Sequence, residues 1–224
     1  MDAQFEHDGW SVHRNVLPRE LHDALTALFA THAAAGPGVR SGLDHAAVRA
    51  LAKCAAVRAL VEPILGPAAF CHRATLFDKH DAANWTVAWH QDRVVPVQER
   101  IDAAGFGPWS DKPGCGVHVQ PPATVLANLL AVRVDLDGSH AANGGLCVLP
   151  GSHRSGVLSR DAIATFVATV PPFVPEVPPG GALRLRPLLL HSSPRVASPS
   201  HRRIVHLEFA PCELPDPVRF RVRV

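Results

Sequence analysis

No CxxC pair and no even set of cysteines organises this chain. Its five cysteines, Cys54, Cys71, Cys115, Cys147 and Cys212, are scattered and odd in number. That argues against a disulfide framework and against a thiolate zinc site, and a reducing compartment is expected. No run of about 18 apolar residues occurs, so no membrane-spanning helix is expected. The opening residues, MDAQFEHDGW, lack the basic and apolar stretches of a secretory leader, and a cytoplasmic location is expected. Charge of one sign is lacking too. Twenty-two Lys and Arg stand against 20 Asp and Glu, for a formal charge of +2. Such a balance builds no strong field toward nucleic acid, and neither a basic run nor an RNA-binding aromatic motif is found. The basic C-terminal RFRVRV alternates and reads as a terminal strand. There is no internal repeat.

Apolar residues make up 47% of the 224 positions, ample for a core, and one domain over 1–224 is expected. The first 70 residues read as helical. LPRELHDALTALFATHAAA carries Leu17, Leu21, Leu25, Leu28 and Phe29 at helical spacing, and DHAAVRALAKCAAVRALVEPILG gives a second stretch, interrupted at Pro63 and stopped at Gly66. After residue 70 short strands are expected at about 70–79, 84–91, 126–136, 145–149, 181–190, 202–210 and 217–223. Proline and glycine clusters such as GFGPWSDKPGCG and PPFVPEVPPGG punctuate them. Helices followed by many short strands predict a mainly β fold, a jelly roll with the N-terminal helices on the outer face of one sheet. The long segments 93–125 and 154–180 are expected to be lids or binding loops.

The stretch WTVAWHQDR, residues 85–93, alternates. Trp85, Val87 and Trp89 share one face of an extended chain and would pack against the shell, while His90 and Asp92 point together from the other. Alone, His-x-Asp more often marks a surface pair or a salt bridge. A third ligand follows from GGALRLRPLLLHSSP, read as a strand ending in His191 with Leu183, Leu185 and Leu189 on the same face. In HRRIVHLEFAP, Arg202, Ile204, His206 and Glu208 alternate with Arg203, Val205, Leu207 and Phe209. The apolar set would face the helices and the polar set a lumen, which brings Arg202 into the cavity of His191. Two histidines and a carboxylate on one side of a metal form the facial arrangement of non-haem Fe(II) oxygenases, with open positions for a bidentate 2-oxo acid and O₂. The far carboxylate of that acid needs a fixed, bidentate cation, and Arg202 is placed to be one.

With these pieces in view, the sequence resembles the phytanoyl-CoA dioxygenase family. The matching segments are FEHDGW, LFDK, WHQD, NGGLCVLPGSHRSG and LLLHSSPRVASPSHRR, in family order over nearly the whole chain. GFGPW, HVQPP and LAVRVDLD resemble a bacterial branch. The resemblance implies a double-stranded β-helix, a cupin-like jelly roll, with Fe(II) held by His90, Asp92 and His191 and the far carboxylate of 2-oxoglutarate on Arg202. It departs in SPRVASPS, where Ser198 keeps a family serine but Arg195 or Val196 stands near the usual asparagine. Other candidates carry two readings each. Arg133 either neighbours the cosubstrate or forms a buried ion pair with Asp135 or Glu208. Lys79 either reaches the cosubstrate or ends a strand, and Ser193 joins the candidate cosubstrate contacts. Arg40 either meets a substrate at the cavity mouth or is a solvated loop charge. His118 and His206 either line the pocket or are hydrogen-bonded core histidines. Trp109 is either a substrate-facing lid aromatic or a loop anchor.

The expected activity is Fe(II)- and 2-oxoglutarate-dependent hydroxylation of a small molecule, with release of succinate and CO₂, by a monomer or homodimer. Desaturation or cyclisation stays open, and halogenation is disfavoured because Asp92 fills the position a halide needs. Two rival classes stand beside it. One is a non-catalytic ligand-binding module on the same fold. The other is a zinc hydrolase, for which no helical His pair or general base is evident.

Overall fold

The computed structural model describes residues 3–32, 38–112, 114–195 and 201–224. Val196 and Ser198, and the stretch Ala33–Ala35 at the end of the first expected helix, lie outside them. The N-terminal part consists of α1 (Ala3–Asp8), β1 (Trp10–His13), α2 (Arg19–His32), α3 (Ala46–Lys53) and α4 (Ala55–Leu65). Leu25 and Phe29 of α2 are buried, as are Val48 and Leu51 of α3 and Val57 and Val61 of α4, the i, i+3, i+4 stripe of a helix with one covered face. The second helical stretch breaks at Cys54, not at Pro63. Cys54 has extended backbone and starts a new helix, whereas Pro63 sits in the last turn of α4. The helix still closes past it through the amide of Gly66, which donates to Glu62 O at 2.9 Å. Gly66, at φ +84°, then ends it in a conformation that only glycine adopts without strain.

The remaining chain adds β2 (Phe70–Lys79), β3 (Val87–His90), β4 (Val95–Pro96), β5 (Trp109–Lys112), β6 (Gly116–Val119), α5 (Ala123–Ala127), β7 (Leu130–Asp135), β8 (Cys147–Val148), α6 (Arg160–Thr169), β9 (Ala182–Leu185), β10 (His191–Ser193) and β11 (Arg202–Ala210). The strands form a five-stranded sheet in the order β1-β9-β7-β11-β2, a three-stranded sheet β3-β10-β8 and a small sheet β4-β6-β5. This is the expected jelly-roll class of mainly β structure with flanking helices.

The large sheet divides cleanly by face. Ala74, Leu76, Val132, Val134, Ala182, Val205 and Leu207 join one apolar cluster with the buried residues of α2, α3 and α4. The intervening residues turn the other way. Thr75, His206, Arg133 and Leu183 are register partners across four adjacent strands, so they share the lumen face.

Three expected elements differ. The strand expected at 181–190 is two strands. β9 belongs to the large sheet and β10 to the three-stranded one, because the chain turns at Arg186, whose carbonyl accepts from the Leu189 amide at 3.0 Å. Residues 217–223 make no ladder, only a single bridge at Phe220 and paired backbone bonds between Cys71 and Val224. The segments 93–125 and 154–180 are not bare loops: the first holds β4, β5, β6 and the start of α5, the second α6.

One consequence of the β2–β11 ladder concerns acid stability. Glu208 pairs with Arg73 and Phe209 with Cys71, leaving His72 as the extra residue of a bulge. Its ring is 1% exposed, stacks on Phe220 at 4.5 Å and has neither nitrogen partnered. Burial pushes its pKa down to about 3. The unfolded chain, with His72 near its ordinary value, therefore takes up a proton below about pH 6.5 that the folded chain refuses, and stability falls as pH drops from there toward 3. At pH 5 this amounts to about 2 kcal/mol, at 1.36 kcal/mol per pKa unit. His72→Phe, which keeps the stacking, is expected to flatten the acid limb by about that amount. Urea titrations at pH 7 and pH 5 measure it, and an unchanged pH dependence would contradict it.

Candidate metal and cosubstrate site

The three-stranded sheet brings the two histidines together. His191 of β10 and His90 of β3 are register partners, and their rings lie 4.2 Å apart between centroids. Each ring is tied in the same way. Nδ1 of His90 lies 2.8 Å from Ala88 O and Nδ1 of His191 lies 2.8 Å from Leu189 O. With Nδ1–H donating to a carbonyl two residues back, the tautomer is set and the lone pair of each Nε2 is free to ligate. Asp92 follows β3, held by its amide donating to Pro187 O at 2.9 Å. Its Oδ1 is 3.8 Å from His90 Nε2 and its Oδ2 is 3.6 Å from His191 Nε2.

One donor atom from each of His90, Asp92 and His191 lies within 4.8 Å of the others, the single such group found among the described residues. Burial alone would raise the Asp92 carboxyl, but His191, His206, His90 and Arg73 together pull it well below the usual range. Burial holds His191 neutral down to about 4. An ionised carboxylate and neutral imidazoles are the forms that bind a divalent ion. The donor set of two nitrogens and one oxygen suits non-haem iron.

These residues open onto a cavity of about 620 Å³ between the two sheets. At one end lie Lys79 and Arg202, which are register partners on β2 and β11. Lys79 Nζ donates to Ser193 Oγ at 2.8 Å and to Pro194 O at 2.9 Å. Arg202 Nη2 donates to the same hydroxyl at 3.1 Å, and Ser193 passes its own proton to Gly144 O at 3.0 Å. Arg202 is 4% exposed, yet its Nε and Nη1 have no partner. Burial, then the nearby Arg133, pushes its pKa down to about 10. A buried guanidinium with two orphaned donors has capacity left for a carboxylate, which it would take in bidentate geometry with Nη2 and either Nη1 or Nε. Arg203, by contrast, points away and clamps Asp137, with Nε donating to Oδ2 at 2.9 Å.

Arg133, His206 and Arg40 also line the cavity. His206 Nε2 sits 3.7 Å from Asp92 Oδ2 and 3.3 Å from Glu208 Oε1. Glu208 is engaged by Arg73 as well, so of the two carboxylates open to Arg133 as partners, Glu208 is taken. Arg133 instead lies over the Phe77 ring at 5.8 Å, with Asp135 as the carboxylate acting on it.

The structure puts two candidates outside the cavity lining. Trp109 packs with the cluster around Val119 and Phe220 and lies against Arg100. His118 is buried in β6, with Nδ1 2.9 Å from Gly116 O, and borders a smaller neighbouring recess. Of the tryptophan face expected to pack against the shell, Trp89 alone does so. Trp89 packs against the Leu149, Leu158 and Leu190 cluster, but Trp85 and Val87 line the cavity, because β3 starts only at Val87 and Trp85 precedes the regular alternation. Trp85 lies over Lys79 Nζ at 5.4 Å. Residues 154–180 contribute nothing to the lining among the described residues; from 93–125 come Arg93, Val94 and Lys112. Sequence reasoning passed over Arg73 and Lys112. The alternation Arg73, Thr75, Phe77, Lys79 was the available signal for the first; the second sits in a proline- and glycine-rich stretch that gives no register.

Comparison with known proteins shows the family. The phytanoyl-CoA dioxygenase (PhyH) family matches residues 5–204. The chain belongs to the phytanoyl-CoA dioxygenase family of iron- and 2-oxoglutarate-dependent oxygenases. Its activity is accordingly an oxygenation that uses iron and consumes 2-oxoglutarate. No curated protein sequence matches the chain. Solved structures do. AviO1 from Streptomyces viridochromogenes Tue57 shares 22% identity at a TM-score of 0.69, over 95% of this chain and 94% of that one. EctD from S. alaskensis, solved with 2-oxoglutarate and 5-hydroxyectoine, shares 19% at 0.69, over 93% and 74%. The epimerase SnoN, solved with Fe³⁺, alpha ketoglutarate and nogalamycin RO, shares 16% at 0.67, over 93% and 81%. At these identities the likeness concerns the fold. No helix among the described residues is long and apolar enough to cross a membrane.

Proposed function

We propose that this chain hydroxylates a small molecule in the cytoplasm, with Fe(II) held by His90, Asp92 and His191 and 2-oxoglutarate anchored by Arg202. The observation that carries the reading is the pairing of a His-Asp-His donor set with a buried arginine whose Nε and Nη1 lack partners in the same cavity. The iron would supply the redox chemistry, coupling oxidative decarboxylation of 2-oxoglutarate to succinate and CO₂ with hydroxylation of a substrate carbon.

The chain's own residues do the rest. Ala88 O and Leu189 O hold the imidazoles in the ligating tautomer. Ser193, receiving from both Lys79 and Arg202, fixes the two cations so that the far carboxylate of the cosubstrate meets a preformed site. Phe77 and Leu146 in the lining keep water from the reacting end. His206, with Nε2 between Glu208 and the Asp92 oxygen that faces His191, adds to the field that keeps Asp92 ionised. Neither a nucleic acid nor a membrane is part of this reading.

Purified protein is expected to convert 2-oxoglutarate to succinate when Fe(II) is added, and to stop when a chelator removes it. Turnover indifferent to Fe(II), or none under any substrate mixture together with no 2-oxoglutarate binding, would sink the reading and favour a ligand-binding module.

A further inference from the structure

The cavity carries more positive charge than iron and 2-oxoglutarate account for. Among the described residues, seven lining side chains are arginine or lysine, against two carboxylates, Asp92 and Glu208. A divalent iron and a doubly ionised cosubstrate cancel each other, so the surplus stays. It is also divided in space. Arg73, Thr75, Phe77 and Lys79 all line the cavity from β2, so β2 spans it, roughly 20 Å from Arg73 to Lys79 at about 3.3 Å per residue. Lys79 and Arg202 mark the cosubstrate end. Asp92, within reach of His206 opposite Thr75, lies between. At the far end Arg73 is neutralised by Glu208.

Two further cations converge there. Val39 exchanges both backbone hydrogen bonds with Leu76 at 2.9 Å. The next residue, Arg40, therefore runs beside Thr75 and turns to the lumen side, where it lines the cavity. Lys112, the last residue of β5, reaches the same cavity from the small sheet. Neither forms an ion pair among the described residues; Asp44 shares a recess with Arg40 without pairing to it. That recess also holds Arg73 and Arg221, so the positive lining continues outward. The Lys112 ammonium is disfavoured first by burial and then by repulsion from Arg73 and Arg40, the condition that a bound anion relieves.

We propose that the substrate carries an anionic group, a carboxylate or a phosphate, held by Arg40 and Lys112 at the end of the cavity remote from Arg202. This rests on the oxygenase reading, in which Arg202 takes the cosubstrate. With 2-oxoglutarate anchored at one end and the substrate's anion at the other, the substrate's oxidised carbon sits between them, beside His90, Asp92 and His191. Neutral and cationic small molecules are disfavoured as substrates by the same field.

The test is calorimetric titration of the full chain, loaded with Mn(II) and saturated with 2-oxoglutarate, with inorganic phosphate and separately with acetate. Saturable binding of at least one probe is expected, and its identity distinguishes a phosphate from a carboxylate. Arg40→Gln and Lys112→Gln are each expected to weaken it about tenfold or more, the loss of one charge-assisted hydrogen bond. Both variants should bind 2-oxoglutarate with unchanged Kd, which shows that the fold and the Arg202 end are intact. The proposal is overturned if neither probe binds, if the variants bind as wild type does, or if the probe displaces 2-oxoglutarate. Failure of wild type to bind 2-oxoglutarate would instead strike the oxygenase reading. Titration of phosphate and acetate without cosubstrate would then still decide whether Arg40 and Lys112 bind anions.

Discussion

His90→Ala, Asp92→Ala and His191→Ala are each expected to abolish succinate formation, by on the order of a thousandfold or more, and to lower iron content after reconstitution. Each change removes one of three donors from a facial set, and the remaining two cannot hold the ion in a geometry with adjacent open positions. The three should differ in what else they disturb. The His90 side chain is 39% exposed and that of His191 5%, so His191→Ala also leaves a hole between the sheets and should lower thermal stability, while His90→Ala should not. Metal analysis, a turnover assay and a melting curve for each variant separate ligation from folding. A variant that keeps near-normal iron and turnover would remove that residue from the ligand set.

Arg202→Lys is expected to raise the KM for 2-oxoglutarate by about one to two orders of magnitude and to change iron affinity little. A guanidinium can present two parallel N–H donors of one edge to one carboxylate, whereas an ammonium meets it as a point charge. Losing one charge-assisted hydrogen bond is worth roughly 1.5–3 kcal/mol, and each 1.4 kcal/mol is tenfold. Arg203→Lys is the internal control. Arg203 is bound to Asp137 on the other side of the sheet, so its KM should stay within about threefold, whatever stability is lost with the bidentate pair. Both values come from 2-oxoglutarate titrations of succinate production. The opposite ranking would mean that the strand presents its other face to the cosubstrate.

Arg202 and Arg203 also show why so much of this site was legible. β11 runs unbroken from Arg202 to Ala210, and period two over nine residues assigns every side chain to a face once one face is apolar. The same holds for β2 from Arg73 to Lys79, beyond the bulge at His72. Helices α2 to α4 were legible through their apolar stripes, with the break at Cys54 hidden because alanine-rich sequence on either side is equally helical. Legibility ended where a strand is two to four residues long. β3 is too short for its alternation to extend to Trp85, and β4, β5 and β6 lie in proline- and glycine-rich sequence whose pairing depends on partners far away in the chain.

What the sequence by itself determined is the donor chemistry and the facing of the long strands. His90 and Asp92 are two apart, His191 ends an apolar run, and Arg202 alternates with outward apolar residues; these are local relations that backbone geometry enforces. Only the tertiary structure decided that His191 leaves the sheet of Leu183 and Leu185 to pair with His90, that Glu208 is taken by Arg73 and not Arg133, that Trp109 and His118 stay outside the cavity, and that Lys112 enters it. Each of these is a contact between segments tens of residues apart or more. Such contacts are selected by burial and charge compensation over the whole packed molecule, and no local period in the chain encodes them.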